Sequence, residues 1–329
     1  MVVLGEAYVS DHGIASILAY VNSDDMRLLK DAKSLSEGTH ARLKIVDAVE
    51  PLARYLQIVM PKSRELARLV RSVKQSRLQQ IVKRLRVSGV PAKSELLEGP
   101  PETAIIKEIL KNHHDLLMVS STNDGDRGTT RMRLLRKCPC PVWVAGPKRL
   151  TKRMRILAAV DALPGDEARA ELNGKILATA SLVARACGGE LHVVNAWRAL
   201  GESLRRPSRF ARYRGEIAAH VRETRTHHSK ELDAALKQAN VSLPERQVHL
   251  VKGEAGEVIP KFCNAHKVDL LVLGTVARTG LSASLIGNTA ETLARSIECS
   301  MLAVKPDGFV SPIRLRPIQK HSDDSPAVD

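Results

Sequence analysis

The chain has 329 residues, long for one domain and comfortable for two. Its composition is 43% hydrophobic but only 3% aromatic, so its cores are built from Leu, Val, Ile and Ala. No apolar run approaches the roughly 20 residues of a membrane helix, no basic flank with an apolar block marks a signal peptide, and five cysteines argue against a disulfide framework and for a reducing cytosol.

The net charge of +15 is a non-specific pull toward anionic partners. In chain order, short apolar runs at 14–21, 41–46, 92–97, 116–120 and 142–145 read as strands. Between them lie helical patterns near 24–36, 64–88 and 102–112. In the second of these, Arg64, Arg68, Arg71 and Arg77 follow helical spacing, and Glu65 is the only acid from Lys62 to Arg86. That stretch reads as a solvated face or as an anion surface for RNA or acidic membranes. It lacks the interleaved aromatics of a stacking platform. Cys138 and Cys140 form C-P-C, without the C-x-x-C spacing of a redox or zinc pair, and read as buried strand-edge residues.

A short basic linker at 146–154 leads to the same alternation. Strand runs lie at 156–160, 191–195, 246–251, 269–274 and 301–304, and helical stretches near 174–186, 216–239, 256–266 and 289–296. From 307 the chain loses periodicity and is expected to be a loose tail. Several blocks recur in order. Ile17-Leu18-Ala19-Tyr20-Val21-Asn22 echoes Ile156-Leu157-Ala158-Ala159-Val160-Asp161, and Asp115-Leu116-Leu117 echoes Asp269-Leu270-Leu271. The chain therefore reads as a duplicated domain. The expected parts are 1–148, 153–306 and a tail at 307–329. Continuous apolar runs alternating with helices imply α/β architecture: two tandem doubly wound, Rossmann-like, five-stranded, mainly parallel sheets flanked by helices. The closing strands at 142–145 and 301–304 are expected to pair, because each would otherwise leave an open edge.

One loop carries the chemistry. Gly274, Ala277 and Gly287 stand at the spacing G-x2-A-x9-G after an apolar strand, with Asn288 and Thr289 at the start of a helix. Small residues let backbone approach an anion, and a helix start offers unpaired N–H groups. The spacing N-x-x-E from Asn288 to Glu291 also reads as a helix cap.

This loop resembles the nucleotide-binding loop of the universal stress protein family, whose pattern is G-x2-G-x9-G-[ST]. Gly274 and Gly287 match it, whereas Ala277 replaces a Gly and Asn288 a Ser or Thr. Over about 300 residues the chain is similar to the tandem members of that family. The resemblance implies ATP or AMP as the ligand, and leaves open an accompanying Mg ion. It implies that Asp161, after Val160, helps to hold the nucleoside and that the backbone at Ala196 meets the base. It implies that Leu273, Gly274, Ala277, Arg278, Gly287, Asn288, Thr289 and Ala290 surround the phosphates. Asp161 also reads as a simple turn residue, and Ala196 as a plain strand end. The first half has Asn22 for the acid and Ser120 for the first Gly, with a shorter loop, and reads as having lost the site.

The implied function is a cytoplasmic stress-response protein that senses an adenine nucleotide through its second half and is capable of self-association. A scaffold acting through basic surfaces and a slow ATPase are the alternatives. No H-E-x-x-H, G-x-S-x-G or G-x-x-x-x-G-K-[ST] is present. The pairs His113-His114 and His227-His228 read as surface residues.

Overall fold

The computed structural model describes residues 13–22, 25–51, 63–121, 129–147, 153–163, 165–200, 213–275 and 286–315. Its first half runs β1 (Ser16–Tyr20), α1 (Met26–Thr39), β2 (Arg42–Val49), α2 (Ser63–Val87), β3 (Ala92–Glu98), α3 (Pro101–Asn112), β4 (Leu116–Ser120), α4 (Thr129–Lys137) and β5 (Val142–Ala145). The second half repeats that order with β6 (Arg155–Val160), α5 (Glu167–Cys187), β7 (Glu190–Trp197), α6 (Arg214–Gln238), β8 (Val248–Lys252), α7 (Ala255–Ala265), β9 (Leu270–Gly274), α8 (Asn288–Ser296) and β10 (Ser300–Val304). The helix α4 is absent from the sequence reading, and α5 begins one to two turns before the stretch expected there.

All ten strands join one sheet in the order β3-β2-β1-β4-β5-β10-β9-β6-β7-β8. Within each half the pairs are parallel. The halves meet through one antiparallel pair, with Met301 opposite Val144 and Leu302 opposite Trp143. The expected pairing of the closing strands is therefore present, and it fuses two five-stranded sheets into one. Trp143 is fully buried at this junction.

Alternate strand residues feed two cores, one per face. Ile17 and Ala19 join Leu28, Leu78, Leu172 and Leu232 beneath α1, α2, α5 and α6. Leu18 and Tyr20 join Ile105, Leu134, Ile259 and Leu293 beneath α3, α4, α7 and α8. The layers are thus helix, sheet, helix. Across the junction α1 packs on α5 so closely that a Cβ at Gly38 would fall inside the Ala186 carbonyl.

Local chemistry sets the helix ends. Asp25 caps α1 by accepting from the Arg27 and Leu28 amides, and Asp166 caps α5 by accepting from the Arg169 amide. Left-handed residues end both helices, His40 and Gly188. Beneath the strands, Asp115 accepts from the Ser16 amide at 2.9 Å and Asp269 from the Arg155 amide at 2.8 Å, so the repeated Asp before β4 and β9 is a structural clip.

Cys138, Cys140, Cys263 and Cys299 are buried, Cys187 is half-buried, and all five are free thiols. Past β10 the chain stays on the body through the described residues. Asp307 pairs with Lys175, and Ser311 is buried. His114 corrects the surface reading of the first histidine pair. The chain leaves α3 through His113 in a left-handed turn, which aims His114 inward. There it meets Ser16 Oγ at 2.8 Å and Glu108 Oε1 at 3.3 Å.

Candidate functional site

Parallel strands bring their carboxyl ends to one rim of the sheet, where doubly wound folds take ligands. On the rim of the second half, β6 delivers Val160 and Asp161, with β9 on one side and β7 on the other. Leu273 and Gly274 close β9, and Ala196 lies near the end of β7 opposite Val251. The Gly287 amide donates to the Thr275 carbonyl at 2.7 Å, which ties the start of α8 to the end of β9. Val160, Asp161, Leu273, Gly274, Gly287, Asn288, Thr289 and Ala290 thus share one rim. Ala277 and Arg278 lie outside the described residues.

The helix start differs from expectation. Gly287 is the N-cap, in extended conformation and with no side-chain cap bond, and α8 begins at Asn288 itself. The Thr275 anchor sets the turn one residue earlier than the N-x-x-E pattern requires. Glu291 is drawn off to Arg136 and Arg295, each at 2.9 Å. The amides of Asn288, Thr289 and Ala290 therefore occupy the leading turn, before intrahelical bonding begins.

Gly274 has a packing reason of its own. A Cβ there would stand 2.6 Å from Leu172 Cδ2 on α5. Asp161 is half-exposed and receives Arg169 Nη1 at 2.7 Å. Its backbone is held at both groups by Asn173, which accepts from its amide and donates to its carbonyl at 3.0 Å each. Desolvation raises the Asp161 carboxyl, with Arg169 and His228 pulling it down.

The two halves differ most at the end of the second strand. β2 and β7 have the same length and matched registers, so Asp47 corresponds to Asn195. Asp47 is fully buried and takes Arg77 and, at 3.0 Å, Lys74 from α2. Arg77 also donates to the carbonyls of Asn22 at 3.1 Å and Val21 at 3.2 Å. Its guanidinium thus fills the crevice at the end of β1. Among the described residues of the second half no cation does this. Asn195, fully buried, donates to the Val160 carbonyl at 3.1 Å, and its Oδ1 has no partner. Trp197 Nε1 is likewise buried without a partner among the described residues, and His228 lies beside it, near the Ala162 backbone. The Trp197 and His228 rings lie 6.1 Å apart. His228 is therefore half-buried against this rim, and the surface reading does not hold for it. At the loop itself Ser120, in the place of Gly274, donates to the Asp25 carboxylate.

The sequence reading missed Asn173 and Arg169, took only the backbone from the strand end that holds Asn195 and Trp197, and set His228 on the surface. The one signal available was a polar Asn inside the apolar run of β7.

The four arginines of α2 do not form one outward face. Arg77 turns inward to Asp47, and Arg71 pairs with Glu98 at 2.5 Å. The step of six residues between them places their side chains on different sides of the helix. Arg64, Arg68 and Arg71 line a cleft of about 250 Å³ together with Glu50 and Glu98. Among the described residues, no helix is long and apolar enough to cross a membrane, and no group of three His, Cys, Asp or Glu could hold a metal ion.

Fold and rim together define a tandem doubly wound α/β protein with two unequal strand-end crevices on one sheet. The chain belongs to the universal stress protein family, whose model matches residues 16–146 and 152–305. It is 28% identical to Universal stress protein E of Salmonella typhi over 304 residues, 89% of this chain and 94% of that protein. It is 30% identical to Universal stress protein E of Escherichia coli K12 over 236 residues, 69% of this chain and 72% of that protein. Among solved structures, a functionally unknown protein from Pseudomonas aeruginosa PAO1 superposes with a TM-score of 0.67 at 24% identity, covering 91% of this chain and 95% of that one. A universal stress protein from Archaeoglobus fulgidus superposes at 0.57 with 14% identity, covering 88% and 96%.

Proposed function

We propose that the chain is a cytoplasmic stress-response protein whose second half, residues 153–306, binds an adenine nucleotide, ATP or AMP, while the first half, residues 1–148, does not. The observation that carries this reading is the contrast between Arg77 and Asn195. In the first half a guanidinium occupies the carbonyls at the end of β1. In the second half, among the described residues, two polar atoms are buried and unmatched, Asn195 Oδ1 and Trp197 Nε1, and His228 beside them is held toward the Ala162 backbone. Buried polar atoms without partners are uncommon, and a ligand's polar edge supplies partners. Beside them Asp161 presents a half-exposed carboxylate suited to sugar hydroxyls. The leading amides of α8 suit a phosphate, because they are unbonded within the helix and lie at its positive end.

Equilibrium binding of labelled ATP and AMP to the purified full chain, stripped of carried-over ligand, tests the reading. One saturable site per chain, lost in Gly287→Asp, is expected. No saturable binding, or two equivalent sites, would overturn it.

A further inference from the structure

Toward the opposite rim of the sheet, three residues before Asn195 on β7, His192 meets His249 on β8. His192 Nδ1 and His249 Nε2 are 3.0 Å apart. The rings are nearly parallel, at 14°, with centroids 5.3 Å apart. That separation is the 3.0 Å contact lengthened by one ring radius at each end. Both nitrogens therefore lie on the line between the centroids, and the contact is a head-on, in-plane N–H···N hydrogen bond. A metal chelate would need the two lone pairs to converge beside that line, not along it.

Such a bond needs one donor and one acceptor. The pair can hold one extra proton, carried on a nitrogen away from the contact. It cannot hold two, because both contact nitrogens would then carry hydrogen and face each other. We propose that the His192–His249 hydrogen bond is an acid-operated latch on the open edge of the sheet, released when both rings become charged.

The surroundings work in the same direction. Among the described strands β8 lies at the edge, bonded only to β7. From α7, Phe262 lies 4.7 Å from His249 and 4.0 Å from the ring of His266, centroid to centroid, and His266 lies 5.7 Å from His249. Arg155 on β6 and His266 disfavour a charge on His192, while Glu190, 3.6 Å away, favours it. Glu190 is itself held by Gln247 at 2.8 Å and lies near Arg246, both beside the start of β8. Desolvation holds both rings below the ordinary histidine value, His249 to about 4, with His192 and His266 adding to the shift on His249.

The first half supplies an internal control. Lys44 and Glu95 occupy the places of His192 and His249, by the same strand registers. They form an ion pair at 2.6 Å, and Lys44 also pairs with Glu108 from α3. One edge of the sheet is therefore closed by an ion pair, and the other by two hydrogen-bonded imidazoles.

Hydrogen exchange on the full chain tests the latch. If opening exposes both rings to water at the ordinary histidine value near 6.5, the opening equilibrium of β8 rises by as much as about 100-fold from pH 7.5 to 5.5, the full figure holding where both rings are neutral while the latch is closed, after correction for intrinsic exchange. The amides of β3 keep their protection over the same range. In His249→Gln one titrating ring remains, and the rise falls to about 10-fold. In the double variant His192→Lys, His249→Glu, which imports the pair of the first half, β8 follows β3. An equal response of β8 and β3 in the unaltered protein overturns the proposal, and so does a full 100-fold rise in His249→Gln. Zinc-induced protection of β8 at pH 7.5 would overturn it in favour of a chelate.

Discussion

Lys305 Nζ donates to the Leu135 carbonyl at 2.5 Å, tying the end of β10 to the last turn of α4 across the junction of the halves. The ammonium also sits 4.4 Å from the ring centroid of Phe309, and the residue is 4% exposed. A cation at a helix C-terminus is favoured by the exposed carbonyls and the helix dipole, but burial opposes it. Desolvation wins and lowers Lys305 to about 8.

The sign of the resulting pH dependence is fixed. Between about pH 8 and pH 10 the unfolded chain holds a proton that the folded chain has lost, so stability rises with pH through that window. Below pH 8 both states are charged and the contribution is flat. Denaturant unfolding of the native protein and of Lys305→Met at pH 7.5 and 9.5 checks this. The native protein should gain on the variant by about 1–2 kcal/mol at the higher pH. A constant difference would refute it.

Asp31 lies at the other helix contact between the halves, buried on α1 near Cys187 of α5. Desolvation, then Asp25, raise its carboxyl to about 7, against a pull from Arg27. A carboxyl raised on folding binds its proton more tightly folded than unfolded. Its contribution is full below pH 4 and is lost as pH rises to about 7. Asp31→Asn should match the native protein near pH 4 and exceed it by about 1–3 kcal/mol at pH 8. Unfolding of both proteins across that range decides. A pH-independent difference would show that Asp31 keeps its proton in neither state or in both.

Arg77 is expected to be a stability residue of the first half. Removing it by Arg77→Ala leaves Asp47 fully buried with Lys74 as its remaining cation and the Ala48 amide as a donor, a loss of about 3–5 kcal/mol by the usual cost of breaking a buried pair. Asp47→Asn, which imports the residue of the second half, leaves two cations without their carboxylate. Combining Asp47→Asn with Arg77→Ala should cost less than the sum of the two single changes, because the side chains share one network. Strict additivity in a double-mutant cycle would contradict the geometry.

Much of this molecule was legible in its sequence. Continuous apolar runs such as Leu270–Gly274 announce strands buried on both faces, and the ordered echo between the halves announces duplication. The closing strands were expected to pair because an unpaired edge is costly, and Leu302 does stand opposite Trp143. The site was less legible, for two reasons. Local patterns over-read the loop: Asn288 with Glu291 spells a cap, but a tertiary bond from Gly287 to Thr275 shifts the helix start. Helical spacing also cannot tell an outward Arg from one that pairs inward. Arg77 became part of the interior only because α2 lies over Asp47, a contact between distant segments. For the same reason Asn195, Trp197 and His228 meet on one rim without any shared motif.

Gly274 separates packing from ligand binding. In Gly274→Ala the new methyl meets Leu172 Cδ2, so the strand end must shift or the leucine must move. Leu172→Ala alone leaves a cavity in the core and costs about 2–5 kcal/mol. The double variant should be more stable than the sum of the two single effects predicts, because each change relieves the other. Thermal unfolding of the four proteins measures the coupling. No coupling would mean that the glycine is not kept by α5.

Ala277→Gly and Gly287→Asp address the phosphate end of the proposed site in opposite directions. The loop pattern that this chain resembles has glycine at the place of Ala277, so Ala277→Gly should tighten ATP binding, by about tenfold for each 1.4 kcal/mol recovered. Gly287→Asp sets a carboxylate beside the leading amides of α8. There it takes the place of a phosphate as a cap and repels one as a like charge, while as a helix N-cap it should hold or raise the melting temperature. That pairing of effects is the discriminating result. A variant that melts no lower than the native protein yet binds no ATP places the phosphates at α8. A variant that binds ATP unchanged removes α8 from the site, whatever its stability.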